Sequence, residues 1–132
     1  MYFHPSVEVG ALEISGNANI GTINGVKIYQ ALITQASTDP PTAVILRNDL
    51  SAEPVWARGD TGAYTATLEG EFTENKTAVF ATPSSGTTTA AIIHGSRASS
   101  DAILILTFDG TADGIAADAL LGGAFIQIMV FS

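Results

Sequence analysis

The stretch "AFIQIMVF", Ala124 to Phe131, decides the fold. Phe125, Ile126, Ile128 and Val130 are set around Gln127, and the run is short, aromatic and β-branched, which reads as a β-strand. A strand this apolar at an open sheet edge would invite edge-to-edge aggregation. It is therefore expected at the centre of a sheet or inside a contact between copies of the chain, and Phe125, Ile126 and Ile128 become candidate assembly residues.

Working outward from it, the same period of two recurs along the chain. "VEVGALEI" (Val7 to Ile14), "VKIYQALITQ" (Val26 to Gln35), "TAVILRN" (Thr42 to Asn48) and "AYTATLEGEF" (Ala63 to Phe72) read as strands. So do "TAVFAT" (Thr77 to Thr82), "TTAAIIHG" (Thr88 to Gly95) and "AILILTFD" (Ala102 to Asp109). Turn signals at "TDPP", "RGDTG", "PSSG" and "DGTADG" separate them. Short strands at regular spacing predict an all-β fold, an antiparallel β-sandwich or a jelly-roll-like head. One segment, "GIAADALLGG" (Gly114 to Gly123), has helical composition closed by paired glycines and predicts a turn or two of helix.

Charge narrows the function classes. Only 14% of the 132 residues are Asp, Glu, Lys or Arg, against about 25% in an average soluble protein. Such a domain either covers itself with hydroxyls and amides or buries surface against its own copies. The net charge of −8 and five scattered basic residues, Lys27, Arg47, Arg58, Lys76 and Arg97, argue against nucleic acid or an anionic membrane as partner. There is no cysteine, hence no disulfide and no thiolate metal site. No basic region followed by an apolar run is legible in "MYFHPSVEVG", and "GGAFIQIMVF" is too short to cross a bilayer as a helix.

Before Val26 the pattern changes. In "EISGNANIGTINGVKIY" (Glu13 to Tyr29) the aliphatic residues Ile14, Ile20, Ile23 and Val26 stand singly among Gly, Asn, Ser and Thr. A thread of that kind cannot bury its hydrophobes alone. Three copies wound about one axis can, with Gly and Asn turning the chain between inward-pointing side chains. An irregular loop followed by a hairpin within one chain accounts for the spacing about equally well. The expected organisation is an N-terminal extended stalk or arm over residues 1–28, carrying the assembly residues Ile14, Ile20, Ile23 and Val26, and a β-sandwich head over residues 29–132. The arm "MYFHPSVEV" is expected to pack on a neighbouring subunit.

"SGNANIGTINGVK" resembles the interlaced stalk segments of bacteriophage tail fibres and related virion fibres. "YQALITQ", "TAVILRNDL", "PVWARGDTGAYTATLEGEF" and "FIQIMVF" resemble small β-domains of phage structural proteins, with Trp56, Gly62, Tyr64 and Leu68 at the positions of a Trp, a Gly turn and a "G-x-Y-x-x-x-L" strand. The resemblance is a pattern of strands and turns and includes no catalytic motif. It implies a non-enzymatic virion component: a homotrimeric fibre or tail-associated protein that contacts other virion proteins and serves host attachment. Secretion or display on a cell surface is the alternative location.

The search for chemistry yields little beside this. No nucleophile elbow, phosphate loop or acid–base constellation is legible. His94 and Ser96 share a strand face with no orienting carboxylate in sequence. Glu69 and Glu71 would lie on one face of a mainly exposed strand. "DGTADG" begins like a calcium loop, but the position that needs a bidentate Glu is Leu120; Asp109 and Asp113 are the residues that would meet a cation if one bound. "RGD" (Arg58 to Asp60) reads as part of a hairpin turn, and "NKT" (Asn75 to Thr77) as a chance glycosylation triplet. Trp56 and Tyr64 are the candidates for stacking on a glycan, which keeps open a second expectation, a carbohydrate-binding or adhesion module with a jelly-roll fold. No cofactor is expected.

Overall fold

The structure is a computed structural model, and it describes residues 25–83, 91–111 and 113–132. The proposed stalk residues Ile14, Ile20 and Ile23, the arm, and the predicted strand at 7–14 lie outside the described residues. Within them the chain is all-β. The strands are β1 (Val26–Thr34), β2 (Thr42–Asn48), β3 (Val55–Asp60), β4 (Ala63–Thr67), β5 (Thr77–Thr82), β6 (Ala91–Ser99), β7 (Ala102–Asp109) and β8 (Gly122–Phe131).

They form two four-stranded sheets, ordered β2-β1-β8-β5 and β3-β4-β7-β6, with every pairing antiparallel. The hairpins β1–β2, β3–β4 and β6–β7 each stay within one sheet, and the remaining connections cross between sheets. β8 sits between β1 and β5, the central place its composition predicts. The first described strand is thus zipped to the last one, from Val26 opposite Phe131 to Thr34 opposite Gly122. The ladder takes in Val26, Lys27 and Ile28, which lie on the arm side of the expected boundary at residue 29.

The core lies between the sheets and follows from the alternation. Tyr29, Ala31 and Ile33 of β1, Ala124, Ile126 and Ile128 of β8, Tyr64 and Ala66 of β4, and Ile103 and Ile105 of β7 are all fully enclosed. Gly95 in β6 marks where the two layers approach most closely at one side: a Cβ there would stand 2.5 Å from Val79 Cγ1 of β5 and 3.2 Å from Ile105 Cδ1. Only a residue without a side chain lets β6 close over β5.

Three sequence expectations change. Gly114 to Gly123 is not helical. Gly114, Ala119 and Gly123 have φ of +58°, +63° and +75°, left-handed values that no α-helix tolerates. The backbone of this segment bonds instead to β7: Asp109 N–H donates to Ile115 O at 2.8 Å, and Ala117 N–H to Thr107 O at 3.2 Å. The strand expected over Ala63 to Phe72 ends at Thr67, because Gly70, at φ +68°, turns the chain. Arg58 to Asp60, read as part of the "RGDTG" turn, belong to strand β3 (Val55–Asp60), and the hairpin turn is confined to Thr61 and Gly62.

Candidate functional site

Two polar clusters lie at the two ends of the sandwich. At one end Asp118, carried by the β7–β8 loop, gathers the β3–β4 hairpin. Arg58 Nη2 donates to Asp118 Oδ2 at 2.7 Å, Gly62 N–H to Oδ1 at 2.9 Å, and the Tyr64 hydroxyl to Oδ1 at 2.6 Å. Arg58, with these amide and hydroxyl donors, holds the Asp118 carboxyl far below the usual carboxylate range. Burial, reinforced by the bond to Asp118, pushes the Tyr64 phenol up to about 12. Gln35, only 3% exposed, completes the cluster. Its Oε1 accepts from Ala119 N–H at 2.7 Å, and its Nε2 donates to Ser37 O and Asp39 O, both at 2.9 Å.

At the opposite end Glu71 is 7% exposed. Its Oε1 accepts from the Ser51 hydroxyl at 2.6 Å and the Ser51 N–H at 3.0 Å, and its Oε2 from Lys27 Nζ at 2.9 Å. Burial opposes ionisation here, yet the Ser51 and Lys27 bonds outweigh it and hold the carboxyl below its ordinary value. Beside this pair lies an open cleft of about 230 Å³, lined by Gly25, Lys27, Gly70, Glu71, Val130 and Phe131 among others. Both carboxylates are engaged by donors within the chain. They tie loops to strands, and Glu71 Oε2 takes a single donor, Lys27.

The stacking and cation candidates take similar internal roles. Tyr64 is fully buried. Trp56 is half-buried against the core, and its indole N–H donates to the Tyr29 hydroxyl at 3.2 Å. The two rings face the interior and do not form an open platform. Asp109 Oδ1 accepts from the Thr111 hydroxyl at 2.5 Å, the Thr111 N–H at 3.2 Å and the Ile115 N–H at 3.3 Å, an Asx-type turn. Asp113 is exposed and does not join it. Among the described residues no three His, Asp or Glu side chains group as a metal site. Glu69 and Glu71, expected on one strand face, lie in the turn after β4, one exposed and one buried. His94 is exposed on β6. The "RGD" tripeptide runs along the end of β3, with its arginine bound to Asp118.

What distinguishes the molecule is the outward side of the β2-β1-β8-β5 sheet. Ladder partners share a face, so Val26 and Ile28 of β1 join Phe131 and Met129 of β8, and Leu32 joins Phe125. β5 adds Ala78 and Phe80 beside Met129 and Gln127, and β2 adds Val44 beside Leu32, with Leu46 two residues on. The charged side chain in these rows is Arg47, the ladder partner of Gln30 beside the β1–β2 bulge, and it is bound to Asp49 at 2.8 Å. Val44 is 63% exposed, Leu46 54%, Phe80 50% and Phe131 42%, more than half of the large exposed apolar side chains among the described residues. At the centre Gln30 Nε2 donates to Gln127 Oε1 at 2.6 Å. The other sheet's outward side is mixed: Thr65, Thr67, His94 and Ser96 lie among Val55, Ile92, Leu104, Leu106 and Phe108, with Asp60 at its hairpin end.

The assembly candidates divide over these two sides of β8 and β1. Val26 and Phe125 are half-buried on the outward face. Ile126 and Ile128 point between the sheets and are enclosed by a single chain, so any contact between copies made by β8 falls to Phe125, Gln127, Met129 and Phe131. Strand composition singles out β8, but its outward residues are legible only once the register with β1 is known. The buried Glu71 and the Asp118 cluster carry no sequence signal, since each joins residues at least 20 positions apart. Among the described residues no helix is long and apolar enough to cross a membrane. No protein-family model, no curated protein and no solved structure matches the chain.

Proposed function

We propose that the chain is a non-enzymatic structural protein of a virion, a fibre or tail-associated component that self-assembles, with three copies as the expected unit. The observation that carries this reading is the outward face of the β2-β1-β8-β5 sheet, four strands wide and largely apolar, in which the one charged side chain, Arg47, is bound to Asp49. In a protein of net charge −8, a face whose described charges are paired within it is one where like-charged copies can meet. The resemblance of "SGNANIGTINGVK" to fibre stalks supports the virion placement and three-fold assembly. The engagement of Asp118, Glu71 and Asp109 by donors within the chain, which tie loops to strands, supports a scaffold role over a catalytic one.

Light scattering coupled to size exclusion tests the assembly. A mass near three times 13.6 kDa is expected, and a monodisperse monomer at high micromolar concentration would refute it. Immunogold labelling of particles from the source's lysates tests the virion placement, which label confined to cells would exclude.

A further inference from the structure

We infer that the free edge of β5 receives a further strand, Val7 to Ile14 of the same chain, with residues 15–24 crossing the end of the sandwich to deliver it. This goes beyond the assembly reading and does not depend on it.

Among the described residues each sheet has two edge strands, and three of these four are blunted. The β1–β2 ladder shifts register between Gln30 and Ala31, which leaves Leu46 as the extra residue of β2, beside Arg47. β3 shifts between Arg58 and Asp60, and β6 between Arg97 and Ser99. A bulge with a charge beside it keeps an edge from pairing. β5 has neither. Its ladder with β8 runs unbroken from Thr77 opposite Val130 to Thr82 opposite Phe125, and "TAVFAT" carries no charge. One bond fixes where its backbone groups point: Phe131 N–H donates to Lys76 O at 2.8 Å. Antiparallel alternation then aims the backbone of Ala78, Phe80 and Thr82 at β8. The N–H and C=O groups of Thr77, Val79 and Ala81 are aimed out of the sheet, as an accepting edge requires.

Two features select residues 7–14 as the occupant. The first is pattern and reach. "VEVGALEI" has the period of a strand, and Val7, Val9 and Ala11 share one side, as Thr77, Val79 and Ala81 do in β5. Val26 lies opposite Phe131 and Thr77 opposite Val130, so Gly25 enters β1 at the end of the sheet where β5 begins. Only β8 separates the two strands. At about 4.8 Å per strand the free edge of β5 is about 14 Å away, and residues 15–24, extended, cover up to about 33 Å. The second feature is the cleft of about 230 Å³ at this end. It is lined by Gly25, where the thread arrives, and by Thr73, together with Lys27, Glu71 and Val130. Thr73 O accepts from Lys76 N–H at 3.2 Å and from the Thr77 hydroxyl at 2.9 Å, at the start of β5. A thread running from Gly25 to β5 crosses this cleft, and the singly spaced Ile20 and Ile23 are the side chains at hand to fill it. A strand supplied by another molecule leaves the cleft unused.

Amide hydrogen exchange on the full chain reads the edge directly. In the wild type the N–H groups of Thr77, Val79 and Ala81 should be protected, as are those of Ala78 and Phe80, which face β8. Val9→Pro and Gly10→Pro, made separately, each remove one N–H, and in a paired strand one of these two neighbours points at β5. One of the variants should therefore speed exchange at Thr77, Val79 and Ala81 at least ten-fold while Ala78 and Phe80, which report on the fold, stay protected. Fast exchange at the three edge amides in the wild type, or protection that survives both variants, overturns the inference. With a photo-crosslinking residue in place of Val9, the adduct with β5 should run on a denaturing gel at the mass of one chain. An adduct of two chains also overturns the inference and gives the edge to a neighbouring copy. A monomeric wild type would remove the assembly reading without touching this one.

Discussion

Replacing Ile128 by alanine separates the core from the assembly face, because β8 carries both. Ile128 has no exposed surface and lies mid-strand, opposite Tyr29 on one side and Val79 on the other. The substitution removes three carbons, about 2.4 kcal/mol at roughly 0.8 kcal/mol per buried methylene. The surrounding ladder is hydrogen-bonded on both sides of the strand and cannot collapse far, so a cavity contribution brings the total to about 3–4 kcal/mol. At about 3–4 °C per kcal/mol for a chain of this size, Tm should fall by roughly 10–15 °C. Met129→Ala, one residue along on the outward side, should lower the Tm of the dilute monomer by no more than about 3 °C. Differential scanning calorimetry at low micromolar concentration, with mass measured in parallel, reads both. An Ile128→Ala protein within about 2 °C of wild type, but with altered mass, would refute the inward assignment. It would mean that β8 is slipped by one residue, which exchanges every side chain between the two faces.

Two glycines with the same backbone should behave differently. At Gly62, φ is +66° and a Cβ would meet Thr107 O at 2.5 Å and Ala117 N at 2.9 Å; Gly62→Ala should cost more than about 2 kcal/mol in chemical denaturation. Gly70, at φ +68° with nothing within 4 Å, should cost only the left-handed backbone penalty of about 1 kcal/mol on the same substitution. Equal losses at the two sites would sink the packing argument at Gly62. For pH, Asp118, Asp49 and Glu71 are all held below their ordinary values, by Arg58, by Arg47 and by the Ser51 and Lys27 bonds that overcome burial. Their stabilisation is complete above the unfolded carboxylate values near 4 and drains away as pH falls through the depressed folded ones. Tyr64, raised to about 12, works in the opposite direction: its stabilisation is complete below about 10 and is lost as pH climbs toward 12. Tm should therefore be flat from about pH 5 to pH 9 and fall on both sides. Asp118→Asn should flatten the acid limb, and an acid limb unchanged by that substitution would remove Asp118 from the account.

Much of the fold is legible in the chain because a strand's signal is local. β2, β5 and β7 fall where alternation places them, since side chains two apart share a face whatever the strand pairs with. The central position of β8 is legible for a related reason: seven apolar residues in a run of eight have no stable place at an edge. The failures share a cause as well. Gly114 to Gly123 has helical composition, yet its backbone is claimed by β7 and by Gln35, 84 positions from Ala119, and long-range bonds of that kind leave no trace in composition.

The candidate surface was half legible. Low charge and single hydrophobes point to contact between copies, and Val26 and Phe125 lie on the face that now carries the proposal. Ile126 and Ile128, equally apolar in sequence, belong to the interior. Sequence by itself determines that β8 is two-sided and that both sides are apolar. Only the tertiary structure decides which side is core, because that depends on where the second sheet lies. The pairing of Tyr29 with Ile128 and of Gln30 with Gln127 turns one row toward that sheet and the other toward solvent.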